Sequence, residues 1–112
     1  MSYEKVIERL GRGELVEHKE GGNSMTSLIA SRQAVTLALV DTAKLEKGDM
    51  VFCKVRGNFY THLVSAVSGN KVQISNNHGH VNGWTTRQRV YAIVCAIDGR
   101  PVRKALSKIL KP

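Results

Sequence analysis

The chain has 112 residues, 42% of them hydrophobic and 23% charged, an ordinary composition for one folded domain with a modest core. That balance argues against disorder, and no apolar run approaches the roughly 20 residues that span a bilayer. Seventeen Lys and Arg against nine Asp and Glu give a formal charge of +8, which suits contact with nucleic acid or acidic surfaces. The basic residues are scattered except near the C-terminus, however, and aromatics make up only 5%, too few for an extended base-stacking platform. Plain solubilising charge therefore stands level with a nucleic-acid role.

The elements follow in chain order. Tyr3, Val6, Ile7 and Leu10 recur at helical spacing, with Ser2 to cap the helix and Gly11 to end it. Residues 13–19 predict a short strand running into the Gly21–Gly22 turn, and Ala34 to Val40 a buried strand rich in β-branched residues. Met50 to Arg56, Phe59 to Val67 and Lys71 to Ser75 predict three strands joined by turns at Gly57–Asn58 and Gly69–Asn70, an antiparallel meander. Asn76 to Trp84 reads as a turn-rich stretch. Arg89 to Ile97 predicts a final apolar strand stopped by Asp98–Gly99. Residues 102–111, with Val102, Leu106, Ile109 and Leu110 set against Arg103, Lys104, Lys108 and Lys111, predict a short basic amphipathic helix. Packing on the sheet is the simpler role for it, and docking to anionic lipid or nucleic acid the sharper one. Even turn spacing predicts a mainly β fold of coiled antiparallel sheets with short N- and C-terminal helices, in one domain over residues 1–112 with its core over 13–98.

Cys53 and Cys95 sit in apolar runs and are expected as buried thiols rather than a disulfide. The N-terminus lacks the apolar stretch of a secretory signal, so a cytoplasmic location is expected.

The chemistry-bearing residues begin with Ser24, in Gly21–Gly22–Asn23–Ser24–Met25. A serine hydroxyl becomes a nucleophile only beside a base and oxyanion donors. A turn ahead of Met25–Thr26–Ser27–Leu28 equally suits a capping serine. His62 lies within a predicted strand, where period-2 alternation puts Tyr60, His62, Val64 and Ala66 on one face. An imidazole aimed from a strand keeps one geometry and titrates near neutral pH, as a general base must. A lone strand histidine is more often structural. His78–Gly79–His80 brings two imidazoles two residues apart. Without a carboxylate or cysteine beside them, a metal site is the weaker reading and a polar loop the stronger. No cofactor motif is present. Trp84 suits a packing anchor or the wall of a substrate groove.

The order of three segments resembles the LexA/type I signal peptidase superfamily. Gly22–Asn23–Ser24–Met25 is similar to its Ser-Met box. Lys47–Gly48–Asp49–Met50–Val51–Phe52 is similar to its Gly-Asp turn and strand, and Tyr60–Thr61–His62–Leu63–Val64 falls where members carry the lysine or histidine base. Ile74–Ser75–Asn76–Asn77 resembles the later Gly-Asp-Asn box, and Val90–Tyr91–Ala92–Ile93–Val94 the closing strand. Together they cover roughly residues 15–98. The resemblance implies a β-rich fold with a Ser24–His62 dyad acting on a peptide, and Asn23, Met25, Asn76, Asn77 and Trp84 as oxyanion or substrate-site candidates.

The chain departs from that pattern in several places. Thr26 and Ser27 stand where a proline is usual, Leu63 where an arginine follows the histidine, and Ser75 where the box has its aspartate. The third group that would orient His62 is then missing, with Asn76 or Asn77 as partial substitutes. Only residues 1–23 precede Ser24, and Gly11 to Gly13 offers no Ala-Gly or Cys-Gly bond, so a self-cleaving repressor is not expected. The expectation is a soluble Ser-His endopeptidase. The rival is a non-catalytic module on the same fold that binds nucleic acid or a host protein.

Overall fold

A computed structural model describes residues 2–19 and 33–110. The order is helix α1 (Tyr3–Gly11), strands β1 (Val16–Lys19), β2 (Ala34–Leu39), β3 (Met50–Val55), β4 (Asn58–Ser68), β5 (Lys71–Ser75), β6 (Val81–Thr86), β7 (Val90–Ile97) and β8 (Arg100–Pro101), then helix α2 (Arg103–Leu106). All the strands belong to one antiparallel sheet in the order β1-β2-β7-β3-β4-β5-β6, with β8 on β7. The fold is thus mainly antiparallel β with two short helices, as the turn spacing predicts.

The sheet coils. A flat layer would be thin, about 10 Å to the next layer, but the molecule measures 31 × 28 × 27 Å. Four bulges drive the curvature, each leaving one residue unopposed: Cys95 against β2, Tyr91 against β3, Ser65 against β5 and Asn82 against β5. Bulges sharpen local twist and bend a strand. The far edge folds back until Thr85 Oγ1 donates to Lys54 O at 2.8 Å, tying β6 to β3.

Coiling gives the central strands two apolar faces. Alternate residues Val51, Cys53 and Val55 join Val64, Val72, Ile74 and Ile93 in an inner core. Phe52 joins Leu37, Ala92 and Val94 on the other face, closed by Val6 and Leu10 of α1. Burial on both sides explains why β7 reads as an unbroken apolar run. Ser2 caps α1 by accepting from Lys5 N at 3.3 Å. Tyr3 then stacks on Phe59 with ring centroids 4.7 Å apart. Each fully buried aliphatic on α1 contributes about 1.5–3 kcal/mol. Both cysteines are buried free thiols, and burial pushes the Cys53 thiol up to about 12.

Three local expectations differ from the structure. The first hairpin turns at Arg56–Gly57, not Gly57–Asn58: Val55 pairs with Asn58, and Arg56 and Gly57 take φ of 51° and 83°. Two positive φ values in a two-residue loop match the twist of the flanking strands. Residues 81–84, expected within a turn-rich stretch, form β6 together with Thr85 and Thr86, because pairing with β5 overrides the local turn chemistry of Asn82–Gly83. The C-terminal helix covers only Arg103–Leu106, and the chain beyond it returns to the sheet through a bridge between Val40 and Ile109.

That return buries a charge. Lys108 is 5% exposed and Asp49 3%. Lys108 Nζ donates to Asp49 Oδ1 and Oδ2 at 2.7 and 2.8 Å and to Glu46 Oε1 at 2.9 Å. Asp49 Oδ2 also accepts from Glu46 N at 2.9 Å. Lys108 therefore belongs to the structure rather than to a free docking face. The same turn continues the β3–β4 ladder: Gly48 N donates to Val64 O and Val64 N to Asp49 O, both at 2.8 Å.

Removing one partner of a buried pair leaves an uncompensated charge. Lys108→Met is expected to cost about 3–5 kcal/mol in urea unfolding, and Asp49→Asn/Lys108→Met to recover part of it. Burial acts to lower the Lys108 pKa, but the hydrogen bonds it donates to Asp49 and Glu46 outweigh it and raise the group above its ordinary 10.5. Its contribution is therefore complete below about pH 10.5 and is lost as pH climbs through the raised value. Glu46 is lowered from 4.5, first by its hydrogen bond to Lys108, so its contribution is lost in acid. Stability measured against pH should fall at both ends, and Lys108→Met should flatten the alkaline fall.

Candidate functional site

Asn23, Ser24 and Met25 lie outside the described residues, and His62 lies within them. Strand β4 carries it opposite Val51 of β3. Alternation sets His62 between Tyr60 and Val64, both of which pack with the inner core. The Tyr60 and His62 ring centroids are 4.9 Å apart. The shared face ends at Val64, because the Ser65 bulge shifts the phase and sets Val67, not Ala66, opposite the core residue Val72.

His62 is 7% exposed, and a buried imidazole N–H needs a partner. Nδ1 lies 2.7 Å from Asn82 Oδ1. A carbonyl oxygen can only accept, so Nδ1 carries a proton, and in the neutral ring the basic lone pair is then on Nε2. This is the tautomer that a general base requires, and it is fixed by an amide in the place a carboxylate commonly takes.

The local backbone explains how Asn82 reaches His62. Ile74 pairs with Gly83 and Ser75 with Val81, which leaves Asn82 as the unopposed residue of the β6 bulge. Bulges redirect a side chain. Gly83 takes φ +138°, a conformation that L side chains rarely adopt, and a Cβ there would lie 3.3 Å from Arg56 Nε and Val55 Cγ1. The glycine thus lets β6 close on β3 while its neighbour turns toward β4.

The other candidates fall elsewhere. Asn76 does not orient His62: its Oδ1 accepts from His78 N at 2.8 Å and His80 N at 2.9 Å, closing the β5–β6 loop. Asn77 lies in the same loop, half-buried. Ser75, at the position of the expected aspartate, sits opposite Leu63 rather than His62, with its Oγ 2.6 Å from Ser65 Oγ. His78 and His80 are exposed, and among the described residues no group of three or more His, Cys, Asp or Glu side chains converges to hold a metal. Trp84 is neither a packing anchor nor a wall of the His62 site. It is 44% exposed, on the face of β6 opposite to that of Gly83 and Thr85. Sequence reading missed Asn82 as the partner of His62. The available signal was an Asn-Gly pair that can mark a bulge inside a strand as readily as a turn.

A carboxylate at position 82 would favour the imidazolium. In Asn82→Asp, the His62 titration followed by ring NMR is expected to move up by about 1 unit or more relative to wild type. No movement would mean that the two side chains do not interact in solution.

Compared with known proteins, the chain matches no family model, no curated protein and no solved structure.

Proposed function

We propose that the protein is a peptide-bond hydrolase of Ser-His type. Ser24 Oγ attacks the carbonyl carbon as its proton passes to His62 Nε2. The acyl-enzyme forms as Nε2 returns the proton to the leaving amine, and water activated by the same nitrogen releases the acid. Asn82 holds the Nδ1–H throughout. An extended peptide laid along a sheet edge would present its carbonyl with a defined backbone direction.

The observation that carries the reading is the buried His62 with Nδ1 held at 2.7 Å by a carbonyl oxygen. It supplies the orienting group that the Ser75 substitution had removed. The Asp49 turn lends support: it precedes β3 and locks the neighbouring stretch of β4 through Val64, matching the order of segments in the LexA/signal peptidase-like pattern.

The test is labelling by a fluorophosphonate probe. Wild-type protein should label at Ser24. Ser24→Ala should abolish labelling, and His62→Ala should slow it about 10²- to 10⁴-fold, with circular dichroism unchanged in both. Wild-type protein that fails to label from mildly acid to alkaline pH would overturn the proposal.

A further inference from the structure

We infer that the outer face of the β5–β6 hairpin binds single-stranded nucleic acid, with one base stacked on Trp84 and a phosphate at Lys71. This inference is independent of the hydrolase reading.

A single exposed apolar residue is ordinary, so the surroundings of Trp84 carry the argument. It stands mid-strand, paired with Gln73, and its indole shares a shallow hollow of about 330 Å³ with Lys71 and Ser68. The face therefore offers an aromatic plane, a cation and polar side chains. An unpaired nucleotide requires that combination: a π-face for the base, positive charge for the phosphate and donors for the sugar or base edge.

Charge favours this occupant. Every acidic residue in the chain lies at or before position 49, or is Asp98. Residues 50–97, which supply β3 to β7, contain Lys54, Arg56, Lys71, Arg87 and Arg89 and no carboxylate. These five cations have no carboxylate among them over the span of β3 to β7, which favours the approach of a polyanion.

The hollow is also pre-set. Arg87 Nε donates to Gly69 O at 2.8 Å and its Nη1 donates to Thr42 O. Arg87 N donates to Asn70 O at 2.9 Å, and Asn70 Nδ2 to Gln88 Oε1 at 3.1 Å. These bonds clamp the Gly69–Asn70 turn, which precedes Lys71, to the segment that follows β6. Lys71 and Trp84 are held on a rigid frame, which lowers the entropy cost of binding. A lone tryptophan makes this a one-base site, not an extended platform.

Trp84 is the only tryptophan, so intrinsic fluorescence reads the site directly. Titrating the whole protein at low salt with an oligothymidylate of about ten nucleotides should quench it. With a dye-labelled oligonucleotide, Trp84→Ala should weaken binding roughly 5- to 150-fold, the loss of one base stack. Trp84→Phe should retain most of the affinity, and Lys71→Ala should reduce the salt slope by about 0.7. Ser24→Ala should bind as wild type. Absence of quenching, unchanged affinity in Trp84→Ala, or equal competition by polyglutamate would overturn the inference. If Trp84→Ala does not fold, wild-type quenching and the Lys71→Ala salt slope still decide.

Discussion

One antiparallel sheet holds every strand among the described residues, and a single sheet can enclose a core only by coiling. The coil is set by bulges at Ser65, Asn82, Tyr91 and Cys95. Each opposes two residues to one and bends its strand. Because the sheet bends, β6 comes to rest against β3, the inner core closes around Val55, Val72 and Ile74, and a residue from the edge strand meets His62. Asn82 turns inward at a bulge on this curvature, while Trp84, two positions on, remains on the outer face.

The chain end is part of the same architecture. Lys108 enters a site nearly closed to water, where both oxygens of Asp49 and one of Glu46 receive its ammonium. A buried ion pair is weak support for net stability, since both charges are stripped of water, but it fixes where the tail docks. The chain after the short helix Arg103–Leu106 carries Lys108 into this site, and Lys104 Nζ donates to Lys47 O at 2.8 Å beside it. The Gly48–Asp49 turn, the start of β3 and the ladder to Val64 are thereby tied to the C-terminal segment.

At His62 an amide replaces the carboxylate expected of a Ser-His enzyme. The substitution keeps one function of the third group and gives up another. Asn82 Oδ1 holds the ring orientation and the tautomer, but carries no charge to stabilise the imidazolium that the proposed reaction would form. The hydrolysis proposed at His62 and the nucleic-acid contact proposed at Trp84 would use separate surfaces.

What the sequence alone determined is local. The 3.6-residue period of Tyr3, Val6, Ile7 and Leu10 with Ser2 ahead of it specified α1. Alternation and turn residues specified β3, β4 and β5, since each signal spans a few adjacent residues. The same locality explains the misses. Asn82–Gly83 carries turn chemistry, and only pairing with β5 makes it a bulged strand. Lys108 reads as a solvated cation, and only Asp49, 59 positions away along the chain, makes it a buried one. His62 was legible as a base candidate from its strand, but its partner stands 20 residues on and was sought at Asn76 and Asn77. Side-chain period and turn preference are properties of neighbouring residues. The partner of a buried polar group is chosen by the coil of the whole sheet, and that was decided only in the tertiary structure.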